Sequence, residues 1–150
     1  MQTYIIALGS FFLFAIILYF YNRKTRGWLN YVKINSTKIL YSEEKVKARL
    51  FIKVREYRTK GNIYLTDQAL FFVVKGIIWW KINFVNDKSD ELKKVFSGEY
   101  CIARSNFQLK QNKGEYVFAE EKMPTPMNKV VVKIYSANCD KLLRLIKGAK

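Results

Sequence analysis

The apolar positions of this chain follow three different periods in succession. From Tyr4 to Tyr21 they are continuous, with no charged side chain, and Arg23, Lys24 and Arg26 follow at once. At about 1.5 Å per residue this run covers about 27 Å of helix, close to the ~30 Å hydrocarbon core of a bilayer, so residues 3–22 are expected to form one transmembrane helix. A cleaved signal peptide would need a basic start and small residues after the apolar core. Met1-Gln2-Thr3 carries no base, and Tyr19, Phe20 and Tyr21 are bulky. Between Gly27 and Tyr41 the apolar residues scatter without a clean period, and residues 23–41 read as a basic juxtamembrane linker with a short helical turn.

From Lys45 the period becomes two. Val46, Ala48, Leu50, Ile52 and Val54 fall on one face, and Lys45, Lys47, Arg49, Phe51, Lys53 and Arg55 on the other, the pattern of a long half-buried strand. Lys60-Gly61 reads as a turn, Asn62–Thr66 as a short strand, and Asp67-Gln68 as the tight connection into Ala69–Val74. Lys75-Gly76 turns again into Ile77–Val85, with Ile78, Trp80, Ile82 and Phe84 inward and Trp79 outward. Asn86–Lys94 is a polar excursion with a possible helical turn. Glu99–Lys110 reads as one strand with Cys101, Ala103, Ser105, Phe107 and Leu109 inward. Glu115–Ala119 and Lys129–Tyr135 complete seven strands, and Glu120–Asn128, which holds Pro124 and Pro126, reads as a loop.

The last change of period, to three or four, predicts an amphipathic helix after Ser136. Ser136 or Asn138 would cap it, Asp140 sits in its first turn, and Arg144 and Lys147 suit its far end. Gly148 supplies a left-handed stop. Cys139, Leu142, Leu143 and Ile146 form its apolar stripe, which the open end of the sheet would bury.

Charge turns this outline into a disposition. Lys and Arg near a span stay on the cytoplasmic side, which places the amino terminus outside and the following domain in the cytoplasm of a single-pass cell-membrane protein. Tyr19, Tyr21 and Trp28 suit the aromatic belt at that interface. The formal net charge is +15, and setting aside Arg23, Lys24 and Arg26 leaves +12 on residues 27–150. Such a field attracts anionic lipid, nucleic acid or acidic protein, or serves only to keep a lysine-rich domain in solution. Each base near an anionic leaflet contributes about 1 kcal/mol. Cys101 and Cys139, in a cytoplasmic domain, are expected to be reduced thiols.

A run of short antiparallel strands closed by one carboxyl-terminal helix resembles the pleckstrin-homology (PH) superfold. Gly61-Asn-Ile-Tyr-Leu-Thr-Asp-Gln-Ala-Leu-Phe-Phe72 is similar to the hairpin of GRAM and bacterial PH-like domains, Ser42-Glu-Glu-Lys-Val46 to their entry strand, and Ile77-Ile-Trp-Trp-Lys-Ile82 to the strand after the hairpin. The resemblance implies a mainly β fold over residues 42–148, an antiparallel, partly open barrel of about seven strands capped by the final helix, behind the transmembrane helix. It also implies a recognition domain rather than an enzyme. In lipid-binding relatives, bases on the first two strands meet the headgroup, and the positions that match by place are Lys53, Arg55, Arg58 and Lys60.

The residues themselves also argue against catalysis. There is no His, the two Cys stand far apart, and no phosphate loop or nucleophile elbow occurs. No cofactor and no metal are expected. The candidate contacts for lipid or an acidic partner are therefore Arg23, Lys24, Arg26, Lys45, Lys47, Arg49, Lys53, Arg55, Arg58 and Lys60. Two roles follow: an accessory or scaffold subunit that docks on an acidic protein or on other subunits of a membrane complex, or a module for anionic inner-leaflet lipid headgroups. Nucleic-acid binding has the charge but lacks a recognition motif.

Overall fold

The computed structural model describes residues 2–35, 38–52, 55–85, 99–112, 114–122 and 129–148. Helix α1 (Gln2–Arg26) leads into α2 (Trp28–Asn35). Among the described residues eight strands follow: β1 (Tyr41–Ile52), β2 (Arg55–Leu65), β3 (Ala69–Val74), β4 (Ile77–Val85), β5 (Glu99–Ala103), β6 (Gln108–Gln111), β7 (Glu115–Lys122) and β8 (Lys129–Tyr135). Helix α3 (Cys139–Gly148) ends the described chain. The strands make one sheet in the order β5-β4-β3-β2-β1-β8-β7-β6, curled into a half-barrel. Its two edge strands are consecutive in sequence, joined through a single 3₁₀ turn at Arg104–Asn106.

That turn divides the single strand expected over Glu99–Lys110 and raises the count from seven to eight. It also changes the phase: Tyr100 and Ile102 point into the core and Cys101 does not. Glu121 of β7 fastens the turn at both ends, because its Oε2 accepts from the Ala103 backbone N–H at 3.2 Å and from Asn106 Nδ2 at 2.6 Å. β7 thus runs to Lys122, into the segment expected to be a loop; its remainder, with Pro124 and Pro126, lies outside the described residues, as does Asn86–Lys94. The sheet is not wholly antiparallel, since β4 and β5 pair in parallel.

Two β-bulges set which side chains face inward. One lies between Glu43 and Val46, with Lys45 at φ 57°, so Tyr41 and Val46 both reach the core despite opposite parity. The other leaves Trp79 without a cross-strand partner, since Phe72 pairs with Trp80 and Val73 with Ile78. Ile78 therefore faces outward, against the simple alternation. Gly61 is not a turn either, because it lies inside β2. A Cβ there would stand 2.6 Å from the Val73 carbonyl oxygen and 2.9 Å from Phe72 Cζ, so only glycine admits β3 at this distance. Lys75 and Gly76, both at positive φ, make the expected tight turn between β3 and β4.

The main core fills the concave side, where Leu50, Ile63, Phe72, Ile82, Phe107, Val132 and Ile134 meet the α3 residues Cys139, Leu142 and Ile146. Glu43 anchors the start of α3. Its carboxylate accepts from Tyr41 Oη at 2.7 Å, from the Ala137 N–H at 2.8 Å and from Ser136 Oγ. Burial, more than this contact, pushes the Tyr41 phenol above its ordinary pKa. At the other end of α3, Arg104 donates to the Ile146 carbonyl at 2.6 Å and to the Asp67 carbonyl, with its guanidinium 4.4 Å from the Phe84 ring centroid. A cation at the carbonyl end of a helix is favourable there.

A second, smaller core lies on the convex side. Trp28 of α2 is 5% exposed and packs with Ala69, Phe71 and Val73, flanked by Tyr31, Val32, Tyr64 and Ile78. The Trp28 ring stacks 4.2 Å from Tyr64. The junction is pinned where Trp28 N–H donates to the Gly76 carbonyl at 2.9 Å and Gly27 bridges to Ile77. Residues 28–35 are thus a packed helix, not part of a linker.

Among the described residues no helix is long and apolar enough to cross a membrane. The transmembrane helix expected at residues 3–22 and the single-pass, amino-terminus-outside localisation are corrected accordingly.

Candidate functional site

The antiparallel register gathers bases on the convex face beside the part that α2 covers. Arg49 of β1 stands opposite Arg58 of β2 on one side and Lys133 of β8 on the other. Lys133 in turn faces Phe118 of β7, and Phe118 faces Gln108 of β6. The next row holds Lys60, Lys47 and Tyr135 in register, with Tyr116 beside Tyr135 at a ring separation of 5.2 Å and Lys110 opposite Tyr116. Five strands at about 4.8 Å spacing make this face about 19 Å wide.

Like charges directly opposite one another destabilise a sheet, by about 1 kcal/mol per pair at ~5 Å in water. Here Lys47 opposes Lys60, and Arg49 opposes both Arg58 and Lys133. Glu56 is the acid that offsets them. It contacts Arg58 Nη2 at 2.6 Å and Arg49 at 3.6 Å. The hydrogen bond from Arg58 holds the Glu56 carboxyl below its ordinary pKa. Its Oε1, shielded from solvent, is the atom that faces Arg49 Nη1.

Aromatic rings carry these bases. Lys110 Nζ lies 4.0 Å from the Phe118 centroid, Lys133 Nζ 5.3 Å from Phe51 and 5.6 Å from Tyr116, and Arg49 5.5 Å from Tyr135. Tyr116 and Phe118 are buried although they face outward, because basic side chains lie over them. The stems cover apolar area while the charged heads remain at the surface, so the face offers charge rather than bare rings.

Of the bases singled out from the sequence, Lys47, Arg49, Arg58 and Lys60 come together here. Lys45 is exposed on the bulge, its N–H donating to Asn62 Oδ1 at 3.3 Å. Arg55 does not join them: it begins β2 opposite Ile52 and shares the concave face with it. Arg26 ends α1 beside Trp79 and Trp80. Lys53 and the side chains of Arg23 and Lys24 lie outside the described residues. Tyr19 and Tyr21 are exposed on α1, Tyr19 edge-on to Phe20 at 5.7 Å, whereas Trp28 is in the convex core. Sequence reasoning missed Lys133, Lys110, Tyr116, Phe118 and Tyr135. Only register brings them beside β1, and the alternation within Lys129–Tyr135 gave the one local sign, placing Lys133 opposite in phase to Val132 and Ile134.

Burial raises the thiol pKa of both Cys101 and Cys139. Both are free, and Cys139 Sγ donates to the Ser136 carbonyl at 3.2 Å. Among the described residues no three His, Cys, Asp or Glu side chains are grouped so as to hold a metal ion. No family model, curated protein or solved structure matches this chain.

Proposed function

We propose that this chain is a non-enzymatic, PH-like interaction module, an accessory or scaffold subunit whose open basic face docks on an acidic protein. A curled sheet with one end filled by a carboxyl-terminal helix supports the PH-like reading. The docking reading is carried by one observation, the row Arg58-Arg49-Lys133 flanked by Lys60-Lys47 with Glu56 as its counter-charge. Opposed like charges cost stability, and an acidic partner would relieve that cost.

The shape of the face favours protein over a lipid headgroup. The bases stand in rows about 19 Å across, and they do not converge on one phosphate. Arg49 and Arg58 already share a carboxylate, which is the chemistry an Asp- or Glu-rich segment would extend.

The test is the binding of a labelled poly-glutamate peptide to the full chain over a salt series. Saturable binding that weakens with salt, and that the double variant Lys47→Glu/Lys133→Glu reduces at least ~10-fold (about 1.4 kcal/mol), is the expected result. Equal binding by the double variant would remove the face from the account. Tighter binding to phosphatidylserine vesicles than to the peptide would replace the acidic protein with a lipid surface.

A further inference from the structure

The half-barrel has a second end. α3 fills one, and at the other a cavity of about 200 Å³ opens on the concave side, lined by Leu50, Ile52, Tyr57, Thr59, Trp79, Trp80 and Tyr100, with Arg26 at its rim. Leu50 pairs with Tyr57 and Ile52 with Arg55, so Arg55 lies on the same face one cross-strand pair further out. The β4 bulge leaves Trp79 out of register, 46% exposed, while Trp80 turns inward and stacks on Phe72 at 4.9 Å.

We infer that this mouth is a binding site for a small aromatic carboxylate, a single six-membered ring bearing one acid group. Size sets the body of the ligand. A dry cavity of about 150 Å³ holds benzene, so 200 Å³ accommodates one ring with a short substituent. Lining sets its character. Tyr57, Trp79, Trp80 and Tyr100 offer ring faces and edges for offset or edge-on stacking, above a floor of Leu50 and Ile52. Charge sets the substituent: Arg26 lines the mouth, Arg55 stands one cross-strand pair further out, and no acid is among the described lining residues, so a carboxylate is favoured over an ammonium. Hydroxyls of Tyr57, Thr59 and Tyr100 are donors for the same carboxylate. Burial, and then the neighbouring Tyr57, raise the Tyr100 pKa, so its phenol keeps its proton.

This site is separate from the basic face, since its lining residues lie on the concave side and Lys47, Arg49 and Lys133 on the convex side. The two readings therefore stand or fall apart. The test titrates the full chain with phenylacetate and follows tryptophan fluorescence and calorimetric heat. One equivalent should bind, benzylamine should bind at least ~10-fold more weakly, and octanoate should bind more weakly than phenylacetate. Trp79→Ala, at an exposed bulge, should lower phenylacetate affinity at least ~10-fold with an unchanged unfolding midpoint. Arg26→Gln/Arg55→Gln should lower phenylacetate affinity to that of benzyl alcohol and leave benzyl alcohol unaffected. Absence of saturable binding at millimolar phenylacetate, octanoate binding more tightly, or full affinity in Trp79→Ala would each overturn the assignment. Poly-glutamate binding should be unchanged in all of these variants.

Discussion

The convex face of the sheet solves one problem in two ways. Over β2, β3 and β4 it presents Tyr64, Phe71 and Val73, and α2 covers them with Trp28, Tyr31 and Val32. Over β1, β8, β7 and β6 it presents Phe51, Tyr135, Tyr116 and Phe118, and no helix among the described residues lies there; Arg49, Lys133 and Lys110 cover the rings instead. Both halves remove aromatic surface from water. Only the second leaves a field of positive charge outward, and that difference separates a structural surface from one suited to docking. Lys81 of β4 adds a base to the covered half, on the side away from β1, with Nζ 5.4 Å from the Tyr31 ring and 5.7 Å from Phe71.

The contrast can be broken most severely on the covered half. Trp28→Ala removes the ring stacked on Tyr64, and a loss of about 3–5 kcal/mol is expected in denaturant unfolding. Poly-glutamate binding by the fraction still folded should not change. If it falls in step with stability, the halves are not independent. Gly61→Ala is expected to cost about 1–3 kcal/mol, because the new Cβ drives β2 from the Val73 carbonyl on which the covered half depends.

On the open half the order of effects should reverse, with little lost in stability and much in binding. Lys133→Ala forfeits cation–π contact with Phe51 and Tyr116, about 0.5–1 kcal/mol in unfolding experiments, yet should weaken the polyanion complex several-fold. A larger loss of stability with intact binding would make Lys133 a structural cover and nothing more.

Glu56→Gln is the mildest change and should sharpen the contrast. It frees Arg49 and Arg58, so polyanion affinity should rise and its salt dependence steepen. The carboxyl titrates below its ordinary value of 4.5 in the folded chain, so its stabilising contribution is present above that value and lost as pH falls through the lowered one. The stability difference between wild type and Glu56→Gln should close on acidification over that range, and a difference independent of pH would remove the ion pair from the explanation.

Legibility from sequence followed the range of the interactions involved. The alternation from Lys45 to Ile52 was readable because each neighbour states the face of the next, and the helix after Ser136 because its stripe is local. The 3₁₀ turn at Arg104-Ser-Asn106 carries neither glycine nor proline, so nothing local divides Glu99–Lys110. Gly61 looked like a turn because close approach by another strand leaves the same residue behind as a tight bend does. The bulges at Lys45 and Trp79 each shift parity by one, which only the partner strand reveals. The basic face suffered most. Lys47, Arg49, Arg58 and Lys60 are readable as a charged hairpin, but alternation alone puts Arg55 on the wrong side, and Lys133 and the aromatic bed are missed, since the β1–β8 pairing that brings them beside β1 joins residues more than 70 apart.

The most direct test is to titrate the isotopically labelled full chain with poly-glutamate and map amide shift changes by residue. Changes concentrated at Lys47, Arg49, Arg58, Lys60 and Lys133, with Trp28 to Asn35 and β3 silent, are expected if the open half of the convex face is the docking surface. Changes centred on α2, β3 or the mouth beside Trp79, with the five bases unmoved, would contradict it.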